Sequence, residues 1–177
     1  MYDYNRGYAD DLEASGIMDI FRVPKPSYYF YQSQRDADDP FGKPMVYIAN
    51  NWQKNSPLDV RIFSNCEEVA LFLNGKHIRR QKPDQNRITA NLNHPPFTFS
   101  IDRFVEGKLE AKGYIKGKIV TSYTVQTPET PSKIKIVIDA EDTDLQKEAN
   151  DVFFVHAYIT DNNGTVIPDY SGRIMFK

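Results

Sequence analysis

The chain has 177 residues, 22 basic and 24 acidic side chains and a formal charge of −2. That balance supplies no broad positive field for nucleic acid. The single cysteine, Cys66, excludes an intrachain disulfide and a cysteine-rich zinc site, and no apolar run approaches the ~20 residues that span a bilayer. One ordinary domain or two small ones fit this length.

Residues 1–36 read as α/β. Met1–Tyr4 is expected to be the end of a strand, and Asn5–Gly16 a loop rich in Asp and Gly. Residues 1–20 hold five acids and no apolar stretch, so no signal peptide is read there. Pro24 and Pro26 lead into a helix over 26–35, with proline accepted at its first turn. Its residues Tyr28-Tyr29-Phe30-Tyr31 are consecutive. Successive helical positions point about 100° apart, so these rings cover nearly every face and need partners on several sides. Alone, 1–36 is expected to be poorly supported. Residues 37–44, charged and carrying two prolines and a glycine, read as a linker.

From Met45 short apolar runs alternate with turn signals. Strands are expected at 45–49, 58–63, 68–73, 76–81, 86–91, 97–101, 108–115 and 118–126. Asn74-Gly75 is the strongest hairpin signal, since both residues tolerate positive φ. Gly113 and Gly117 bracket Tyr114-Ile115-Lys116 and mark a bend and a turn. This regular spacing without a helical period predicts an antiparallel, immunoglobulin-like β-sandwich over 45–127. Beyond a proline-marked link at Thr127–Pro131, residues 128–177 read as the start of a second such module, cut short. Its strands are Lys133–Ile138, Val152–Ile159 and one ending at Arg173–Lys177, and its exposed edges favour pairing with a neighbour. The fold class is mainly β, preceded by a short α/β piece.

Few side chains carry a chemical signal of their own. His77, His94 and His156 match no metal-ligand spacing, and the Asp139–Asp144 run lacks the glycine and terminal Glu of a calcium loop. Asn163-Gly164-Thr165 fits a glycosylation triplet but is already explained as a tight turn. Trp52 reads either as a core ring or as a sugar-stacking one. Cys66 reads as a small buried apolar side chain.

Several stretches resemble a known family. Tyr2-Asp3-Tyr4-Asn5-Arg6-Gly7-Tyr8, then Ser15–Pro26 and Ser27-Tyr28-Tyr29-Phe30-Tyr31-Gln32-Ser33-Gln34, resemble the last strand, loop and helix of the catalytic (β/α)₈ barrel in family 2 glycoside hydrolases, the family of the large bacterial β-galactosidases. Ile62–Lys76, with its Ser-Asn and Asn-Gly-Lys elements, resembles a hairpin of the accessory sandwich that follows that barrel. Pro95–Phe99 and Gly107–Tyr114 resemble its later strands, and 131–177 the opening of the next module.

The resemblance implies a retaining β-glycosidase, in which two carboxyl groups about 5 Å apart act as nucleophile and acid/base. The family holds both on earlier barrel strands, and no Glu here sits in a matching motif. The resemblance therefore implies no catalytic residue, no cofactor and no metal in this chain. It also implies that this region is a scaffold, whose partners are the rest of its own barrel and, in the intact enzyme, a β-linked glycoside. A periplasmic or secreted bacterial setting follows from the same likeness. Asn5 and Arg6, on the loop after the last barrel strand, either help shape the sugar pocket of the intact enzyme or brace the strand–loop junction. Two other classes stay open. A carbohydrate-binding module needs aligned exposed aromatics, with Trp52, Tyr47 and Tyr114 as candidates. An adhesin-like repeat is disfavoured by the lack of internal repetition.

Overall fold

The computed structural model describes residues 2–5, 12–139 and 154–175. The chain divides into two compact units, Met1–Gln126 and Thr127–Lys177. It is mainly β and antiparallel. In the first unit β1 (Tyr4–Asn5) pairs with β2 (Leu12–Glu13), and α1 spans Pro26–Ser33 with Lys25 as N-cap and proline in its first turn. Seven strands follow: β3 (Val46–Ile48), β4 (Asp59–Ser64), β5 (Glu68–Leu73), β6 (Lys76–Gln81), β7 (Phe97–Ser100), β8 (Lys108–Ile115) and β9 (Lys118–Gln126). They form a three-stranded sheet in the order β3-β4-β7 and a four-stranded one in the order β6-β5-β8-β9.

Period-two alternation explains how the sheets face each other. Val46, Ile48, Val60, Ile62, Phe97 and Phe99 come from one sheet, Val69, Leu71, Leu73, Leu109 and Ala111 from the other, and all join one buried cluster with Trp52 and Cys66. Each fully buried large apolar side chain contributes about 1.5–3 kcal/mol. Burial pushes the Cys66 thiol up from its ordinary value, partly offset by a bond from Ser64. The two tight turns use the expected chemistry: Asn74 and Gly75 have φ of 52° and 78°, and Lys116 and Gly117 have 50° and 74°. Gly113 marks a register shift between β8 and β9.

Two expected strands are absent among the described residues. Residues 86–91 form a turn with a short 3₁₀ segment at Thr89–Asn91. The Asn86 carboxamide oxygen accepts the Ile88 and Thr89 N–H groups, and the Thr89 hydroxyl donates to the Asp84 carbonyl. Such local side-chain bonds compete with extended backbone, and Ile88 is left in solvent. Residues 173–175 carry no strand either. Pro168 lacks a donor, and beyond the Asn162-Asn163-Gly164 turn the described pairing back is limited to the Val166–Thr160 bridge, with Ile167 N–H donating to Ile159 O at 2.9 Å.

The aromatic helix finds a partner on one side. It lies on the outer face of the three-stranded sheet, where Tyr29 stacks on Tyr47 at 3.8 Å and Phe30 meets Phe63 edge-on at 5.4 Å. Ser33 is buried, while Tyr31 is largely in solvent. Its last expected residues, 34 and 35, are a C-cap and a bend.

In the second unit β10 (Lys133–Asp139) pairs with β11 (Phe154–Thr160) as a two-stranded sheet. Val152 and Phe153, like most of Asp139–Asp144, lie outside the described residues. Buried Asp161 organises the turn that follows, accepting the backbone N–H groups of Glu129, Asn163 and Thr165 at 3.0, 2.9 and 2.9 Å. Those donors, Glu129 first, hold its carboxyl below the ordinary range against the opposing effect of burial.

Candidate functional site

Residues 2–5 and 12–25 are held together by polar bonds. The Asp3 backbone N–H donates to Met18 O, the Lys25 N–H donates to Ile17 O, and Met18 bridges both Tyr2 and Pro24. Inside this ribbon the nearly buried Asp3 carboxylate takes the Lys25 ammonium at 2.8 and 3.1 Å and the Gly16 N–H at 2.7 Å. Lys25 also donates to Ala14 O at 3.0 Å. The Lys25 bond, helped by Gly16, holds the Asp3 carboxyl below the ordinary range although burial opposes it. Gly16 is required by close approach: a Cβ there would lie 2.3 Å from the Asp3 nitrogen.

A second turn faces outward. The Asp19 carboxylate accepts the Phe21 and Val23 N–H groups at 2.8 Å each, and Arg22 takes φ of 66°. The result leaves Ile20 and Phe21 exposed, next in sequence to a clamp that also leaves Leu12, Tyr2 and Tyr4 exposed. The Arg22 guanidinium lies 5.8 Å from the Tyr2 ring centre.

Of the two expected site residues, Asn5 is on β1, exposed, and paired in register with Leu12. Arg6 lies outside the described residues. The three candidate sugar-stacking rings are not brought together. Trp52 is 1% exposed, donates its indole N–H to Val105 O at 2.9 Å and packs on Phe104. Tyr47 lies under Tyr29, its hydroxyl pushed up to about 12 by burial and then by Tyr123 and Tyr29. Tyr114 sits on the outer face of the four-stranded sheet with the Arg80 guanidinium 3.8 Å over its ring.

Several carboxylates are held by structural partners. Glu67 accepts the Lys116 N–H, Glu68 pairs with Arg80, and Glu110 lies 3.7 Å from Lys112. His94 pairs with Asp36 at 2.8 Å and so ties the 91–96 loop to the end of α1. Among the described residues no group of three His, Cys, Asp or Glu is placed to hold a metal ion. The clamp of Asp3, Gly16 and Lys25 was not read from the chain. Its members are 13 and 22 residues from Asp3, and no local pattern announces their pairing.

Comparison with known proteins adds to this geometry. Residues 55–121 match a family described as a domain of unknown function (DUF4982). The chain is 33% identical over 99% of its length to a beta-galactosidase of Thermoanaerobacter pseudethanolicus, covering 25% of that protein. A beta-glycosidase from Bacteroides vulgatus superposes with a TM-score of 0.77 at 26% identity, over 94% of this chain and 20% of its own. A beta-glucuronidase from glycoside hydrolase family 2 shares the fold, with a TM-score of 0.71 at 24% identity over 89% of this chain and 15% of its own. The chain thus spans a quarter or less of the proteins it matches.

Proposed function

We propose that this chain is the non-catalytic C-terminal region of a retaining, β-galactosidase-like glycosidase of family 2, a reading supported by its likeness to a beta-galactosidase over 99% and to a beta-glycosidase over 94% of its length. Residues 1–36 end the catalytic barrel, 37–44 link it to an accessory sandwich over 45–127, and 128–177 begin a second module. The observation that carries this reading is the outward apolar surface of segment 2–25. Tyr2, Tyr4 and Phe21 are 47%, 55% and 56% exposed on a ribbon held by the Asp3–Lys25 clamp. Large apolar side chains left exposed on one segment suit a surface made for a partner, and here the partner is the rest of the barrel. The reactive glutamates belong to that absent partner, and the sandwich supports the barrel's last helix through Tyr29 and Tyr47.

In this reading Asn5 borders the sugar pocket together with Arg6, as donors to saccharide hydroxyls. Measuring kcat/KM for Asn5→Ala and Arg6→Ala in the complete enzyme tests that role; unchanged values reduce both to bracing residues. The scaffold role has its own test. Phe21→Ser with Tyr4→Ser should lower the melting temperature of the complete enzyme and leave that of this chain unchanged. Equal effects on both, or turnover of a nitrophenyl β-glycoside by this chain alone, overturn it.

A further inference from the structure

The sandwich has a cleft that the scaffold role does not use. Residues around Asn74 and the loop following β7 border an open cleft of about 420 Å³, within the ~300–1,000 Å³ typical of small-molecule sites. Its apolar lining is Leu73, Ile78, Ile101 and Val105, and its polar lining includes Ser100, Lys76, Asp102 and Arg103.

The frame is rigid. The Asn74 carboxamide accepts the Lys108 N–H at 2.7 Å and donates to Glu106 O at 2.9 Å. Val105 is held through its carbonyl by Trp52, Ile101 donates its N–H to Leu58 O at 3.0 Å, and the Ser100 hydroxyl donates to Asp59 at 2.6 Å. Lys76, Asp102 and Arg103 are exposed, and none makes an ion pair with any described residue. Two unpaired cations against one unpaired carboxylate favour an anionic ligand.

We propose that this cleft binds a uronic-acid unit of a saccharide, its carboxylate on Lys76 and Arg103 and one C–H face on Ile78, Ile101 and Val105. Charge-assisted bonds to a carboxylate are the stronger kind, and the aliphatic floor fits a pyranose face while a bare phosphate leaves it uncovered. Asp102 and Ser100 then face the ring hydroxyls. No aromatic side chain lines the cleft, so a stacked base is not accommodated. The proposal rests on the glycosidase reading only for the class of ligand, a saccharide.

Methyl β-glucuronide and methyl β-glucoside differ only in a carboxylate against a hydroxymethyl group, and both can be titrated into the full chain by amide NMR. The glucuronide should bind roughly tenfold tighter, with shifts concentrated at residues 73–78 and 100–105. Lys76→Gln with Arg103→Gln, both at exposed positions, should remove that preference while the spectrum stays folded. Equal response to both sugars, inorganic phosphate binding as well as the glucuronide, no shifts, or an unaltered response in the double variant overturns the proposal. Neither hydrolysis nor melting is read, so this failure leaves the scaffold reading intact, and failure of the scaffold tests leaves this one open.

Discussion

The sandwich and the segment 2–25 belong to the same compact unit and are held by opposite means. In the sandwich, thirteen side chains from both sheets and their loops close one buried cluster. In the segment the inner side is polar, a carboxylate clamped by an ammonium and a glycine N–H, and large apolar side chains point out. Apolar burial is non-directional and stabilises whatever closes on itself. A polar clamp instead sets a shape while leaving apolar surface free. That contrast separates an apolar body from a polar-clamped ribbon within one chain.

The contrast is testable first where burial dominates. Phe97→Ala or Trp52→Ala should cost about 3–5 kcal/mol in denaturant unfolding; a small loss for Trp52 with loss of sugar binding would return that ring to a surface role. Tyr29→Ala should cost less, about 1–3 kcal/mol, because it removes one half-buried member of the Tyr29–Tyr47 stack. Its effect should be seen as faster amide exchange in α1, with β5 and β8 unchanged.

Acid should act on the segment before the sandwich. The Asp3 pKa is depressed in the folded chain, so its contribution is fully present above the ordinary carboxylate pKa near 3.8 and is lost as pH falls through the lower folded value. The Gly16 amide resonance should hold constant at neutral pH and move in that acid window, and Asp3→Asn should abolish the movement. A Gly16 signal that titrates at or above the ordinary value would contradict the clamp. The smallest effect belongs to the outer face of the four-stranded sheet. Glu68→Ala, which removes the exposed pair with Arg80, should change stability by no more than about 1 kcal/mol.

What was legible beforehand was whatever is encoded between near neighbours. Short apolar runs such as Val69–Leu73 between turn signals, with Asn74-Gly75 at positive φ, located strands and turn because strand propensity and dihedral preference are local properties. The stretch 86–91 misled for the same reason. Its apolar Ile88 suits a strand, yet Asn86 and Thr89 satisfy the backbone locally and leave no ladder to join. The site was less legible. Asn5 was singled out by likeness to a family, whereas Lys25, which shapes the loop, lies 22 residues from the carboxylate it grips.

Residues alone determined that this chain is built of short antiparallel strands, where its hairpin turns fall and that Cys66 forms no internal disulfide. Tertiary structure alone decided that Trp52 faces the core, that Tyr47 is roofed by the helix, and that Lys76 and Arg103 line one cleft. The division has a physical cause. Turn dihedrals and strand period depend on residues a few positions apart, while burial, ring stacking and charge pairing depend on groups the chain brings together only by closing loops tens of residues long.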